Sequence, residues 1–225
     1  MGIYCNRLRF IVRLRTKDQS SMNGDKPYED PIAAAILGDS PYERLRVGRY
    51  ALFKQPLSRK LVWQSMIFST LALVVPLTMT LPTSTQQLFS SDDLLLATPK
   101  ILLLGAFGVG VVSVSALALT YVGYRRVTAP DGLTEREACK LLDIEDAASV
   151  VSLVTGALAV GIVVGIFLLG LGGDAAMSMF LSLGGENPFA PTAMPVSVLG
   201  VGLATSTLAV VFYALSRLFD RRLSA

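Results

Sequence analysis

Histidine is absent from this chain, and cysteine occurs only twice, as Cys5 and Cys139. The missing imidazole excludes His-ligated haem, His-containing zinc sites and every catalytic pair that joins a nucleophile to histidine. Two cysteines without histidine make a poor metal site. Both are expected on the cytoplasmic side, where thiols stay reduced, so no disulfide is expected between them. Charge is scarce as well. Only 16% of residues are charged, against about 25% in an average soluble domain. Four runs, roughly Leu61–Leu81, Ile101–Tyr124, Ala148–Gly172 and Val196–Ser216, hold no charged residue at all.

Those runs define the architecture. Each is about 20–25 residues long, and at about 1.5 Å per residue each crosses the roughly 30 Å hydrocarbon core. The expected fold is an all-α integral membrane protein with four transmembrane helices at about 61–81, 101–124, 148–172 and 196–216. Thr98 and Pro99 read as the cap and first-turn proline of the second. The remainder divides into a cytoplasmic segment 1–60, short loops and a basic tail 217–225. None of these is long enough to bury a separate core.

The basic residues set the threading. Twelve precede Leu61, Lys100 stands alone between the first two runs, four lie between the middle runs and three follow Ser216. Cytoplasmic loops concentrate Lys and Arg. Both termini and the loop 125–147 are therefore expected in the cytoplasm, with 82–100 and 173–195 outside, in a cell membrane. Residues 1–21 carry five basic residues and one acid. They form either a basic arm on anionic lipid or the product of an upstream start codon, with Met22 the true start. In the second case the net charge moves from +3 to −1, so overall basicity is no argument for a nucleic-acid partner. Arginine outnumbers lysine fourteen to six, a bias that points to a GC-rich prokaryotic source.

Short amphipathic helices are expected at the inner surface. Ser40-Pro41-Tyr42-Glu43 offers a cap, a first-turn proline and a capping box for a helix over 41–54. Thr134 and Glu137 offer a second box, with Asp143 capping the start of the third span. Glu137–Val150 resembles the first helix and turn of helix-turn-helix DNA readers. The segment where the recognition helix should follow is apolar and carries no basic reader, which excludes that function. Asp143, Glu145 and Asp146 suit a helix start and so need no metal.

Ionisable residues inside spans mark ion paths, proton relays and intramembrane catalysis. None lies within the four runs, which argues against an enzyme, and no cofactor is expected. Small residues at helical spacing are present instead: Ala157, Gly161 and Gly165 in the third span, Ala106 and Gly110 in the second, Gly202 and Ser206 in the fourth. They let helices approach closely. Pro76 is a candidate hinge in the first span. Trp63, Tyr121, Tyr124, Arg125, Arg126, Tyr213 and Arg217 are candidate membrane-interface residues. The functional expectation is a non-enzymatic protein acting through helix–helix association as a subunit, scaffold or anchor. Its partners are the bilayer and either itself or another membrane protein. The alternative is a small transporter or channel with a path lined by hydroxyls such as Thr120, Thr205 and Thr207.

Overall fold

A computed structural model describes residues 55–91, 93–128 and 134–223. The arm 1–21 and the helix expected over 41–54 lie outside the described residues. The described chain is all-helical. α1 (Leu57–Ala72) and α2 (Val74–Met79) form the first span, and α3 (Thr83–Gln86) adds one turn after it. α4 (Ile101–Thr128) is the second. α5 (Glu135–Val151), a π-helical turn (Ser152–Gly156) and α6 (Ala157–Gly170) run on as the third. α7 (Gly173–Ser182) precedes α8 (Val198–Leu223), the fourth. Four helical stretches, Leu57–Met79, Ile101–Thr128, Glu135–Gly170 and Val198–Arg222, are long and apolar enough to cross a membrane.

Apolar periodicity decides which faces meet. α1 buries Leu57, Leu61, Phe68 and Leu71, with Lys60 and Gln64 on the same stripe. α8 buries Val198, Val201, Thr205, Ala209, Phe212, Ser216 and Phe219, each three or four residues from the last. This 3.5-residue rhythm seats one helix against another along its length. α8 packs most extensively on α1, and the two run antiparallel. Ser58 bonds to Asp220 at one end, Ser65 donates to the Ala209 carbonyl in the middle, and Phe68 stacks on Phe212. α4 lies antiparallel to the third span in the same manner, with Gly105 against Val163, Gly108 against Ala159 and Val112 over Gly156. α1 also touches α4 and the third helix.

The helices are longer than the charge-free runs. α1 begins at Leu57, and α8 continues to Leu223, taking in most of the expected tail. The third helix begins at Glu135, so the separate surface helix ending at Asp143 is not what forms. The capping box at its start does form: Thr134 accepts from the Glu137 N–H at 3.3 Å, and Glu137 accepts from the Thr134 N–H at 3.0 Å. No glycine or proline interrupts the chain from there to Val151. Ala138, Leu141, Leu142 and Ala148 continue the buried stripe, so nothing ends the helix at Asp143. Pro76 acts earlier than its own position. It has no N–H to give the Ala72 carbonyl, and the helix is interrupted at Leu73, whose own N–H turns to Thr70 at 3.3 Å.

The end opposite the basic helix termini is closed by the two long loops. Thr98 and Pro99 do not cap α4. They pair with the other loop instead, through the Thr192 N–H to the Thr98 carbonyl at 2.9 Å and the Lys100 N–H to the Ala190 carbonyl at 2.8 Å. Beneath them Phe189 stacks on Phe89 with ring centroids 4.7 Å apart and meets Phe167 edge-on at 5.4 Å. Thr85 donates to the Gly170 carbonyl at 2.7 Å, tying α3 to the end of α6.

Candidate functional site

Two features stand out from ordinary helix packing: a buried polar cluster near the basic end and a small-residue face on the outside. The cluster begins with Lys60, in the first turn of α1. Its ammonium lies 2.8 Å from the Glu145 carboxylate, and each side chain is 4% exposed. Among the described residues these are the only buried charged groups. One turn along α1, Gln64 is 1% exposed and donates from Nε2 to Ser152 Oγ at 3.1 Å. Ser152 in turn donates to the Ser149 carbonyl at 3.3 Å, and Ser149 donates to the Glu145 carbonyl at 2.6 Å. The chain of bonds leaves Gln64 Oε1 buried with no donor. An orphaned buried acceptor costs about 1–3 kcal/mol.

Helical spacing explains this arrangement. Lys60 and Gln64 are four apart and so share a face of α1. Glu145, Ser149 and Ser152 are four and three apart and share a face of the third helix. Both helices run in the same direction, so Lys60 meets Glu145 while Gln64 meets Ser152. The cluster ends where the π-turn begins. There the Ala157 N–H reaches back five residues to the Ser152 carbonyl, a geometry that recurs at functional sites.

Lys60 and Glu145 are absent from the candidates read from the sequence. Lys60 reads as one of many basic flanking residues, and Glu145 as one of three acids at a helix start. The signal that finds Glu145 is its position on the stripe Ala138, Leu141, Leu142, Ser149, where every neighbour is buried. Asp143 and Asp146 do not share its burial.

The structure separates the small residues into two groups. Gly202 is inside, and a Cβ there would lie 2.2 Å from Val75 Cγ2. Ala157 is half-buried against the core. Gly161, Gly165 and Gly110 face outward, and a Cβ at any of them meets nothing within 4 Å. Ser206 is exposed, and Ala106 is half-buried. Close approach within the bundle is served by Gly108, Gly123 and Gly156, which sit on the opposing faces.

The hydroxyls named for a polar path are spent locally. Thr120, Thr205 and Thr207 each donate to a carbonyl four residues back on their own helix. Thr155 and Ser206 lie on the outer surface.

The expected interface residues are exposed or half-exposed near the basic end. Trp63 donates to Gln55 at 3.1 Å. Tyr121 and Tyr124 are exposed. Arg125 approaches Glu137 at 3.5 Å, and Arg126 is half-buried beside it in sequence. Arg217 donates to the Tyr213 hydroxyl at 2.9 Å. Cys139, half-buried on α5, is disulfide-bonded, which overturns the expectation of a reduced thiol. Cys5 lies outside the described residues.

Less than half of each span is buried in the bundle, and Phe107, Val114, Leu158, Leu168 and Val210 stand exposed around it. A water-soluble chain rarely leaves so much apolar surface bare. Fold and surface together define an all-helical protein with four helices long and apolar enough to cross a membrane. No known protein family, characterised protein or solved structure matches the chain.

Proposed function

We propose that this chain is a non-enzymatic protein of the cell membrane, with both termini in the cytoplasm, that acts through helix–helix association as a subunit, scaffold or anchor. One observation carries the reading. Gly161 and Gly165, a small-x-x-x-small pair, open outward with nothing over them, while other glycines serve the contacts inside the bundle. Such a pair lets a second helix approach to backbone distance. The exposed flanks Leu158 and Ile162 would supply the apolar rim of that contact. The sorting of the basic residues supports the orientation.

Photo-cross-linking in native membranes tests the association. A photoreactive residue at Leu158 or Ile162 should capture protein, either a second copy or another chain. One at Leu203, exposed on α8, should capture lipid alone. Lipid capture at all three positions would remove the basis for the proposal.

A further inference from the structure

We propose that the groove between α1 and α8 at the basic end is a binding site for the headgroup of an anionic phospholipid, held by Arg59 and Arg217 with Arg221 beside them. This rests on the reading that the helices cross a bilayer, and it is independent of the association through Gly161 and Gly165.

Two contacts set the register of the groove. Ser58 meets Asp220, and Ser65 meets the Ala209 carbonyl. Between those points Arg59 comes within a turn of Arg217. The seam also divides each helix into flanks. On α1, Lys60 and Gln64 turn inward to the third helix. Arg59, Val62 and Met66, three and four apart, share the opposite flank. On α8, Phe212 and Phe219 turn inward, and Val210, Tyr213, Arg217 and Arg221 run three or four apart along the outer flank. The two helices are antiparallel, so both stripes border the same outer groove.

Exposure follows this division. Arg59, Arg217 and Arg221 are exposed, and Val62 is half-buried in the groove. Met66, Val210 and Tyr213 are exposed as well. The order along the helices is that of a phospholipid in one leaflet. Met66 and Val210 lie at the acyl level, the Tyr213 ring follows one turn nearer the basic end, and the arginines come after it. A protein partner requires no such gradation, whereas a lipid does.

Arg217 is already placed for a phosphate. Its Nε and Nη2 donate to the Tyr213 hydroxyl at 3.1 and 2.9 Å, and its Cζ lies 5.2 Å from the centre of that ring. These contacts hold the guanidinium over the ring and leave the Nη1 protons for another acceptor. Arginine takes phosphate oxygens through paired N–H groups. Arg59, across the groove, supplies a second cation, and Arg221 lies one turn beyond Arg217. Asp220, at the seam, accepts from Ser58 at 3.0 Å and offsets one of these charges, so the surplus is positive. A choline head would bring its own cation to that surplus. Phosphatidylglycerol brings a net negative charge, and basic pockets between spans select such heads.

The full chain is reconstituted in phosphatidylcholine vesicles that carry a trace of spin-labelled phosphatidylglycerol or spin-labelled phosphatidylcholine. Electron paramagnetic resonance then reads the fraction of label immobilised on the protein. Wild type should hold phosphatidylglycerol several-fold more strongly than phosphatidylcholine. Arg59→Gln with Arg217→Gln should remove most of that preference. Arg136→Gln with Lys140→Gln, which takes the same charge from α5, should keep it. All four cations are exposed, so neither pair of changes should shift the unfolding midpoint. Equal retention of the two lipids by wild type, a preference that survives the loss of Arg59 and Arg217, a preference lost equally with Arg136 and Lys140, or displacement of the label by soluble glycerol phosphate would each overturn the proposal. A chain that alkaline carbonate strips from the vesicles would overturn the membrane reading and this site with it. A chain that stays embedded without the preference overturns the site alone.

Discussion

Alanine at Gly156 places a methyl group where Val112 already stands. The added Cβ would lie 2.3 Å from Val112 Cγ2, far inside contact distance. Valine in a helix has one strongly preferred χ1, so it cannot swing aside as a long side chain would. Either α4 and the third helix separate or a rotamer is forced. Overpacking of this kind costs about 1–3 kcal/mol. Gly202→Ala meets a second valine, Val75, at 2.2 Å and should cost a similar amount. Gly123→Ala meets Leu57 Cδ2 at 2.7 Å and the Phe219 ring at 3.0 Å. The leucine end can move, so this change should cost less. At Gly161 and Gly165 there is nothing to meet. Alanine there should be neutral, or stabilising by up to about 1 kcal/mol from helix propensity. Thermal unfolding in one detergent, followed by intrinsic fluorescence and circular dichroism, ranks the five variants. If Gly161→Ala is as destabilising as Gly156→Ala, the division into interior and outward glycines is wrong.

Further outcomes follow from the same contacts. Thr134→Ala removes the side-chain acceptor for the Glu137 N–H, one half of the capping box, and should cost about 1 kcal/mol, read as a lower unfolding midpoint. Phe189→Ala empties the centre of the aromatic cluster at the capped end, where the ring is 1% exposed. It should cost about 3–5 kcal/mol and loosen both loops to limited proteolysis. Lys60→Met takes away the ammonium that faces the Glu145 carboxylate and should destabilise by about 3–5 kcal/mol, whereas Lys60→Met with Glu145→Leu should come back close to wild type. A double-mutant cycle on unfolding midpoints checks both.

Much of the fold is legible in the residues, because a charge-free run of membrane length has few other uses. The helix ends are less so. Lys60 and Glu145 look like boundary markers, yet α1 and α5 carry their buried stripes past them, and the stripe rather than the charge decides where each helix begins. Thr98 and Pro99 read as a helix start, but their backbone partners lie in a loop more than ninety residues away, which no local pattern reveals. The small residues were visible as a set. Which of them faces inward depends on how each helix is rotated, and that is fixed by α4 meeting the third helix through Val112 and Gly156. The orphaned oxygen of Gln64 exists only because Ser152 takes its amide nitrogen, a contact between helices that spacing along one of them does not disclose.

The central claim is that the four helices thread a membrane with the basic rim on the cytoplasmic side. Labelling of intact cells with a membrane-impermeant thiol reagent tests it most directly, with single cysteines introduced into a Cys5→Ser, Cys139→Ser background. Asp174→Cys and Glu186→Cys should react in intact cells. Lys140→Cys and Arg222→Cys should react only after the membrane is permeabilised. Labelling of Lys140→Cys in intact cells, or equal labelling at all four positions, would contradict the account.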